Sequence, residues 1–357
     1  MKIAFLGDLA LFGRFNYLDN KSFSIEYFKD VSIYLKKFDY VVANLETPLT
    51  NYTRTSGVKS AYIKSIVENV ELLKYLGVNI VNLSNNHILD YGEDGLKESI
   101  TILELNNIKY FGVYDKELEV ENICFKAYTC YSTNPLGVSD GNDSILAPLS
   151  KKQLYSDLFK IRNRGKIPVI SAHFGLEHVN KPSYDHIDLF TELAEKTDFI
   201  LYGHHPHVLQ PIVKYKSSIL AYSLGNFCFD DVYTNKSTEP LIKLSQNNKE
   251  SVILEVDFNQ NKGFNFILTP IYIGNDFLEL PASNKILDKV KDYNHDLKIE
   301  RNEYTLQRTK FLRMYYKERK KKRDLNWYLK RLNFKSIRMI LNARFNHKMY
   351  LRSIIGK

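Results

Sequence analysis

Long apolar runs are missing from this 357-residue sequence. No window approaches the roughly 20 apolar residues that cross a bilayer as a helix. The first residues, Met1-Lys2-Ile3-Ala4-Phe5-Leu6-Gly7-Asp8, enter a strand-like stretch at once. They lack the basic region, apolar core and small-residue cleavage site of a signal peptide, so a cytoplasmic chain is expected. Cysteine is scarce too. Cys124, Cys130 and Cys228 are an odd number with no CxxC pair, which argues against a closed disulfide framework and for free, buried thiols. Acidic residues are scarce in one place only. Residues 301–357 carry 18 Lys or Arg against 3 Asp or Glu, a net of +15, which leaves −6 on residues 1–300. The basic character therefore belongs to the tail, and the acidic body argues against a nucleic-acid-binding catalytic face.

What is present is an ordinary globular composition, with 44% hydrophobic residues to build a core. Short β-branched runs at Lys2–Leu6, Tyr40–Ala43, Val78–Leu83, Ile167–Ala172 and Asp198–Tyr202 read as buried strands. Between them Ser22–Lys37, Lys64–Leu76, Gly95–Leu105, Lys151–Asn163 and Tyr184–Lys196 carry helical spacing. This alternation predicts an α/β domain with parallel pairing. A different rhythm follows. Pro211–Tyr215 with Ile219–Tyr222, and Ser251–Phe258 with Phe264–Ile273, read as antiparallel hairpins. Asn235–Glu250 is polar and is expected to be a loop. The body is placed at residues 1–280 and a basic, mainly helical extension at 281–357.

The chemistry-bearing residues follow the strands. Asp8 ends the first, and Glu46 in Asn44-Leu45-Glu46 comes just past the second. Asn85-Asn86-His87 follows the third, and His173 ends a fourth with Glu177 nearby. The fifth strand runs into Gly203-His204-His205-Pro206-His207, three imidazoles in four positions. Open α/β sheets place their sites at the carboxyl ends of strands. Carboxylates and imidazoles are the donors that divalent cations use, and short His-rich tracts commonly bind metal.

Six runs occur in order: Gly7-Asp8, Asn44-Leu45-Glu46-Thr47-Pro48-Leu49, Asn85-Asn86-His87-x-x-Asp90-Tyr91-Gly92, His173-x-Gly175-x-Glu177, Gly203-His204-His205-Pro206-His207 and Ser223-Leu224-Gly225-Asn226-Phe227. Together they resemble the CapA family of bacterial capsule and poly-gamma-glutamate biosynthesis proteins, a branch of the calcineurin-like metallophosphoesterases. The resemblance covers about residues 1–230 by motif and 1–275 by fold. It implies a four-layer α/β/β/α sandwich with a metal centre of one or two divalent ions (Mn, Fe, Zn or Mg). Asp8 and His207 would hold the first ion, Glu46 would bridge in place of the usual Asp, and Asn86, His173 and His205 would hold the second. His87 would be the catalytic imidazole, with Asp90 or Glu177 orienting its neighbours. One departure stands out: the Asp-x-His motif of the superfamily reads Asp8-Leu9-Ala10 here, so the first site loses an imidazole.

The implied activity is metal-dependent phosphoester hydrolysis on a small or polymeric, anionic substrate in surface-polymer biosynthesis. Two alternatives stand beside it: hydrolysis or transfer at a gamma-glutamyl amide, and a non-catalytic accessory part of a polymer-assembly machine. For the tail, the plain expectation is a helical extension that packs Trp327 and its neighbours on the body. The sharper one is a helix lying on an anionic membrane, with nucleic acid the less favoured partner.

Overall fold

The alternation of side chains along the first strand already separates two cores. In a computed structural model describing residues 1–138, 144–234, 237–259, 263–321 and 333–356, Ile3 and Phe5 join an apolar cluster with Val42, Ile80, Phe125, Ile200 and Leu254. Ala4 and Leu6 face the other way, against Tyr27, Val31, Leu72, Leu96 and Leu103 from helices. A strand buried on both faces at period two lies inside a layered fold.

In chain order the strands of the first half are β1 (Lys2–Leu9), β2 (Tyr40–Leu45), β3 (Ile80–Asn82), β4 (Lys109–Phe111), β5 (Leu118–Val120), β6 (Ile123–Thr129) and β7 (Ile167–His173). Those of the second half are β8 (Ile200–His204), β9 (Ile212–Tyr215), β10 (Ser218–Ala221), β11 (Asn226–Cys228), β12 (Val232–Thr234), β13 (Ser237–Ile242), β14 (Glu250–Asn259), β15 (Gly263–Ile273) and β16 (Leu278–Glu279). One sheet runs β16-β15-β14-β1-β2-β3-β4, with β11 alongside the end of β1, and the second runs β5-β6-β7-β8-β10-β9. From β1 to β4 and from β6 through β7 and β8 to β10 the pairing is parallel; the remaining members are antiparallel, apart from β11, which is parallel to β1. The two sheets share the cluster around Phe5, Phe111, Phe125 and Tyr202. Outside the second sheet, Leu154, Leu158, Phe190 and Leu193 of helices Lys151–Asn163 and Tyr184–Lys196 cover Tyr128, Ile170, Leu201 and Tyr222. The result is the expected α/β/β/α sandwich.

Those two helices have the expected bounds, and both expected hairpins form. The differences have local causes. The stretch Ser22–Lys37 divides into helices Lys21–Tyr27 and Lys29–Leu35, broken at the buried Phe28. In Lys64–Leu76 the α-helix is only Val70–Tyr75, because the backbone of Ser65 is already bonded to Pro48 and Thr50. The expected loop Asn235–Glu250 is ordered over its described residues. There Ser237–Ile242 pairs with β12 and Gln246–Lys249 forms a helical turn capped by Ser245. Its few apolar residues explain this: Ile242 and Leu244 pack on a cluster of Ala10, Ile63, Phe229 and Val232.

The extension is helical over Lys285–Asp296, Arg301–Lys321 and Phe334–Tyr350. Trp327, Tyr328, Leu329 and Leu332 lie outside the described residues. Other side chains make the contact with the body: Ile286 and Val290 enter the core between the sheets, and Tyr304 and Ile354 enter the core of the second sheet. The Tyr304 hydroxyl donates to the carbonyl of Pro182 at 2.9 Å, and that of Tyr350 to Asp185 at 2.9 Å. All three cysteines are free and buried. No helix among the described residues is long and apolar enough to cross a membrane.

Candidate metal centre

Parallel strands in both sheets deliver their carboxyl ends to one edge of the sandwich. Asp8 lies near the end of β1, Asn44 in β2, Asn82 at the end of β3, His173 at the end of β7 and His204 at the end of β8. Two glycines make the convergence sterically possible. A Cβ at Gly7 would stand 2.1 Å from the carbonyl oxygen of Gly225, and one at Gly203 2.1 Å from that of Tyr222. Gly7 thus lets β11 approach β1, and Asp8 N–H bonds the Gly225 carbonyl at 2.9 Å. The register of β1 on β2 shifts between Phe5 and Asp8, which re-aims the carboxylate. Beyond β8, His205 and His207 have φ of +95° and +56°. Left-handed backbone is uncommon for non-glycine residues and gathers at functional sites.

The donors meet in pairs. The Asp8 carboxylate lies 3.2 Å from Nδ1 of His204 through one oxygen and 3.2 Å from Nδ1 of His207 through the other. Glu46 Oε1 lies 3.4 Å from His207 Nε2 and 3.8 Å from His173 Nε2. His173 Nε2 in turn lies 3.2 Å from His205 Nδ1 and 3.0 Å from Asn86 Oδ1. All the carboxylates and imidazoles in this cluster are buried. Two donor groups result, Asp8–Glu46–His207 and Glu46–His173–His205, each with its ligand atoms within 4.8 Å of one another. Donors about 2.0–2.2 Å from a shared cation stand about 3–4 Å apart, so these spacings fit a divalent ion. Glu46 belongs to both groups. Its Oε1 is buried and has no hydrogen-bond partner, an expensive arrangement for a carboxylate oxygen.

The electrostatics say the same. Burial, then the Asp8 charge, pushes the Glu46 carboxyl well above the ordinary range. Burial also raises Asp8, but the imidazoles of His204 and His207 outweigh it and hold Asp8 well below that range. His207 is driven the opposite way to its neighbours: burial lowers it, yet Glu46 and Asp8 raise it to about 10. Burial holds His205 down at about 3, and burial with the nearby His205 keeps His173 neutral. Neutral imidazoles are the ligating form.

His87 stands beside this cluster. Its Nδ1 lies 2.7 Å from Asp90 Oδ2, and the Lys59 ammonium lies 2.5 Å from Asp90 Oδ1 and donates to the Asn86 carbonyl at 2.5 Å. Burial, then Lys59, lowers the His87 pKa. Glu177 has another position. The carboxylate bonded to His87 is Asp90, whereas Glu177 lines a small cavity with His87, His178 and His207, and its acidity is raised by His205 and His207 against the effect of burial. The rest of that cavity's lining is largely apolar: Ala61, Ile63, Phe229, Val232, Ile242 and Leu244.

Every residue expected at the site thus lies at this one edge. Four groups were not foreseen as members. His204 faces Asp8; Asn44 donates to Asp8 at 2.9 Å and is itself held by Asn82; Asn226 Oδ1 lies 2.9 Å from His207 Nδ1; Lys59 sits under Asp90. The first three stand at strand ends within motifs already read, which was a usable signal. Lys59 comes from a polar stretch without one. Ala10, at the position of the missing imidazole, is buried in the apolar cluster with Ile63 and Phe229.

The sequence profile of the family described as Bacterial capsule synthesis protein PGA_cap matches residues 2–231. The chain belongs to this family. It is 29% identical over 274 residues to capsule biosynthesis protein CapA of Bacillus anthracis, covering 72% of this chain and 66% of that protein. It is 25% identical over 286 residues to PGA biosynthesis protein CapA of Bacillus subtilis (strain 168), covering 76% of this chain and 72% of that one. The chain therefore spans about two thirds of the length of these relatives. Among solved structures, a hypothetical protein from Thermus thermophilus overlaps with a TM-score of 0.41 at 14% identity, covering 78% of this chain and 99% of that chain. The NAD nucleotidase of Haemophilus influenzae gives 0.40 at 11%, covering 82% and 62%. The family's profile ends where the motif-bearing strands end, and all the donors described above lie inside it.

Proposed function

We propose that this chain is a metal-dependent, phosphoesterase-like hydrolase acting in the biosynthesis of a bacterial capsule or related surface polymer. The observation that carries this reading is the pair of donor groups sharing Glu46, supported by the family and by the names of the two relatives. Asp8, Glu46 and His207 would hold one divalent ion, and Glu46, Asn86, His173 and His205 a second; Mn, Fe, Zn or Mg all suit an oxygen and imidazole set of this kind. A cation bound there polarises a phosphoryl oxygen and lowers the pKa of bound water.

The remaining groups handle protons and position. Nδ1 of His87 is engaged by Asp90, which leaves Nε2 to exchange a proton with an oxygen of the reacting ester. Burial raises the Asp90 carboxyl, but His87 and then Lys59 outweigh it and keep it ionised, so Asp90 can support the imidazolium that forms. Glu177 adds a negative group at the cavity, and its apolar lining limits water near the reacting centre. The name of the Bacillus subtilis relative favours one second reading, cleavage or transfer at a gamma-glutamyl amide, in which the same centre polarises a carbonyl.

The test is a screen of the manganese- and zinc-loaded chain against aryl phosphates, phosphodiesters and gamma-glutamyl oligomers. Turnover of phosphoesters that falls at least about 100-fold in His205→Ala and His207→Ala supports the phosphoesterase reading. Turnover of gamma-glutamyl oligomers alone supports the amide reading. No bound metal and unchanged function in both variants contradict both.

A further inference from the structure

The helix Phe334–Tyr350 uses one side to hold the body. Asn346 donates to Asn134 at 2.8 Å, Tyr350 bonds Asp185, and Ile354 just beyond is buried. The opposite side has no such cover. Phe334, Ile337, Leu341 and Phe345 fall at spacings of three and four, and they are 90%, 55%, 57% and 57% exposed. At that spacing they form one stripe. Arg338, Arg344, Lys348 and Arg352 are exposed on the same side, and among the described residues none has a carboxylate partner. From Leu325 to Lys357 the sequence has 8 Lys or Arg and no Asp or Glu.

We propose that this face of the carboxyl-terminal helix docks the protein on a bilayer surface carrying anionic phospholipid headgroups. Three observations select that occupant. The apolar and cationic side chains share one face, so Phe, Ile and Leu can enter the acyl boundary while Arg and Lys reach back to the phosphates. The positive charge has no negative member, which suits a uniformly anionic plane. The helix is about 25 Å long and too charged to span, so it lies on the surface rather than across it. A nucleic acid would use the cations but gain nothing from the aliphatic stripe. A second copy of the acidic body would not require four exposed apolar residues in line.

The position of the helix adds a consequence that rests on the proposed function. An earlier helix of the extension, Arg301–Lys321, brings the Tyr315 ring to 6.5 Å from that of His178, one of the residues lining the cavity at the metal centre. Docking through the tail would keep the metal centre on a chain held at the bilayer, where a lipid-linked or membrane-emergent anionic polymer would be met.

The experiment is co-sedimentation of the full chain with vesicles of phosphatidylcholine alone, and with phosphatidylglycerol added, at low and high salt. Binding is expected only with phosphatidylglycerol, weakening as salt screens the headgroups. Arg338→Glu/Arg344→Glu/Lys348→Glu should abolish it, each lost cation weakening binding about fivefold. Ile337→Ser/Leu341→Ser/Phe345→Ser should weaken it at least tenfold, with an unchanged melting temperature showing that these exposed positions do not support the fold. The proposal is overturned by equal binding to neutral vesicles or by none to either. Vesicle binding that the serine variant leaves intact overturns it too. So does tighter binding to an oligonucleotide, or self-association, in the absence of vesicle binding. None of these readouts depends on the metal centre or on its activity.

Discussion

Oε1 of Glu46 stands 3.4 Å from Nε2 of His207, fully buried and without a hydrogen-bond partner. A raised carboxyl pKa in the folded state has a definite sign. The stability that goes with it is complete below the unfolded value of 4.5 and is lost as pH rises through the folded value. At neutral pH without metal, Glu46 therefore works against folding. Glu46→Gln should raise the stability of the metal-free chain by roughly 1–3 kcal/mol, read by urea unfolding at pH 7. The same variant should lose most of the thermal stabilisation that manganese or zinc gives the parent.

Lys59 and Asp90 form a buried ion pair, with side chains 7% and 0% exposed. Removing one member strands the other charge. Lys59→Met should destabilise the chain by roughly 3–5 kcal/mol, and Lys59→Met/Asp90→Asn should recover much of that loss. Equal losses in the single and double variants would show that Lys59 acts through packing alone.

Gly203 has no room for a methyl group. Gly203→Ala should cost at the top of roughly 1–3 kcal/mol by forcing β8 and β10 apart, and should weaken metal binding by displacing His205. Gly77→Ala is the control. That glycine has positive φ but nothing within 4 Å, so its cost should be conformational and metal binding unaffected.

His186, outside both donor groups, bonds Ser183 through Nδ1 and packs on Phe174 and Tyr350. Burial, then Arg308, lowers its pKa from 6.5 to about 3. The folded value lies below the unfolded one, so stability is complete above about pH 6.5 and falls as pH drops toward about 3. The loss from this one group is about 1.4 kcal/mol per pH unit within that window. His186→Gln keeps a polar partner for Ser183 and should reduce the slope of stability against pH by one proton.

The layers and the site edge were legible because both follow from short-range rules. Short β-branched and apolar runs alternating with helical spacing, and donors placed directly after those runs, need no tertiary information; that Ile3 and Phe5 enter one core and Ala4 and Leu6 another shows only in the fold. What the sequence concealed was set by partners distant in the chain. The helix at Lys64–Leu76 starts late because Ser65 is held by Pro48 and Thr50. The polar stretch after residue 236 folds because Ile242 and Leu244 find Phe229 and Ile63. Lys59 gave no periodic signal, and its importance lies wholly in the buried Asp90 that it meets. Asp90 and Glu177 were interchangeable as orienting acids in sequence; only the fold shows that Asp90 reaches His87.

The most direct test is elemental analysis of the chain after loading with manganese or zinc and desalting, for the parent and for Glu46→Ala confirmed as folded by circular dichroism. The account predicts one or two divalent ions per parent chain and a loss of nearly all of them in Glu46→Ala, because both donor groups share that carboxylate. A parent that retains no metal, or a Glu46→Ala chain that retains it undiminished, would contradict it.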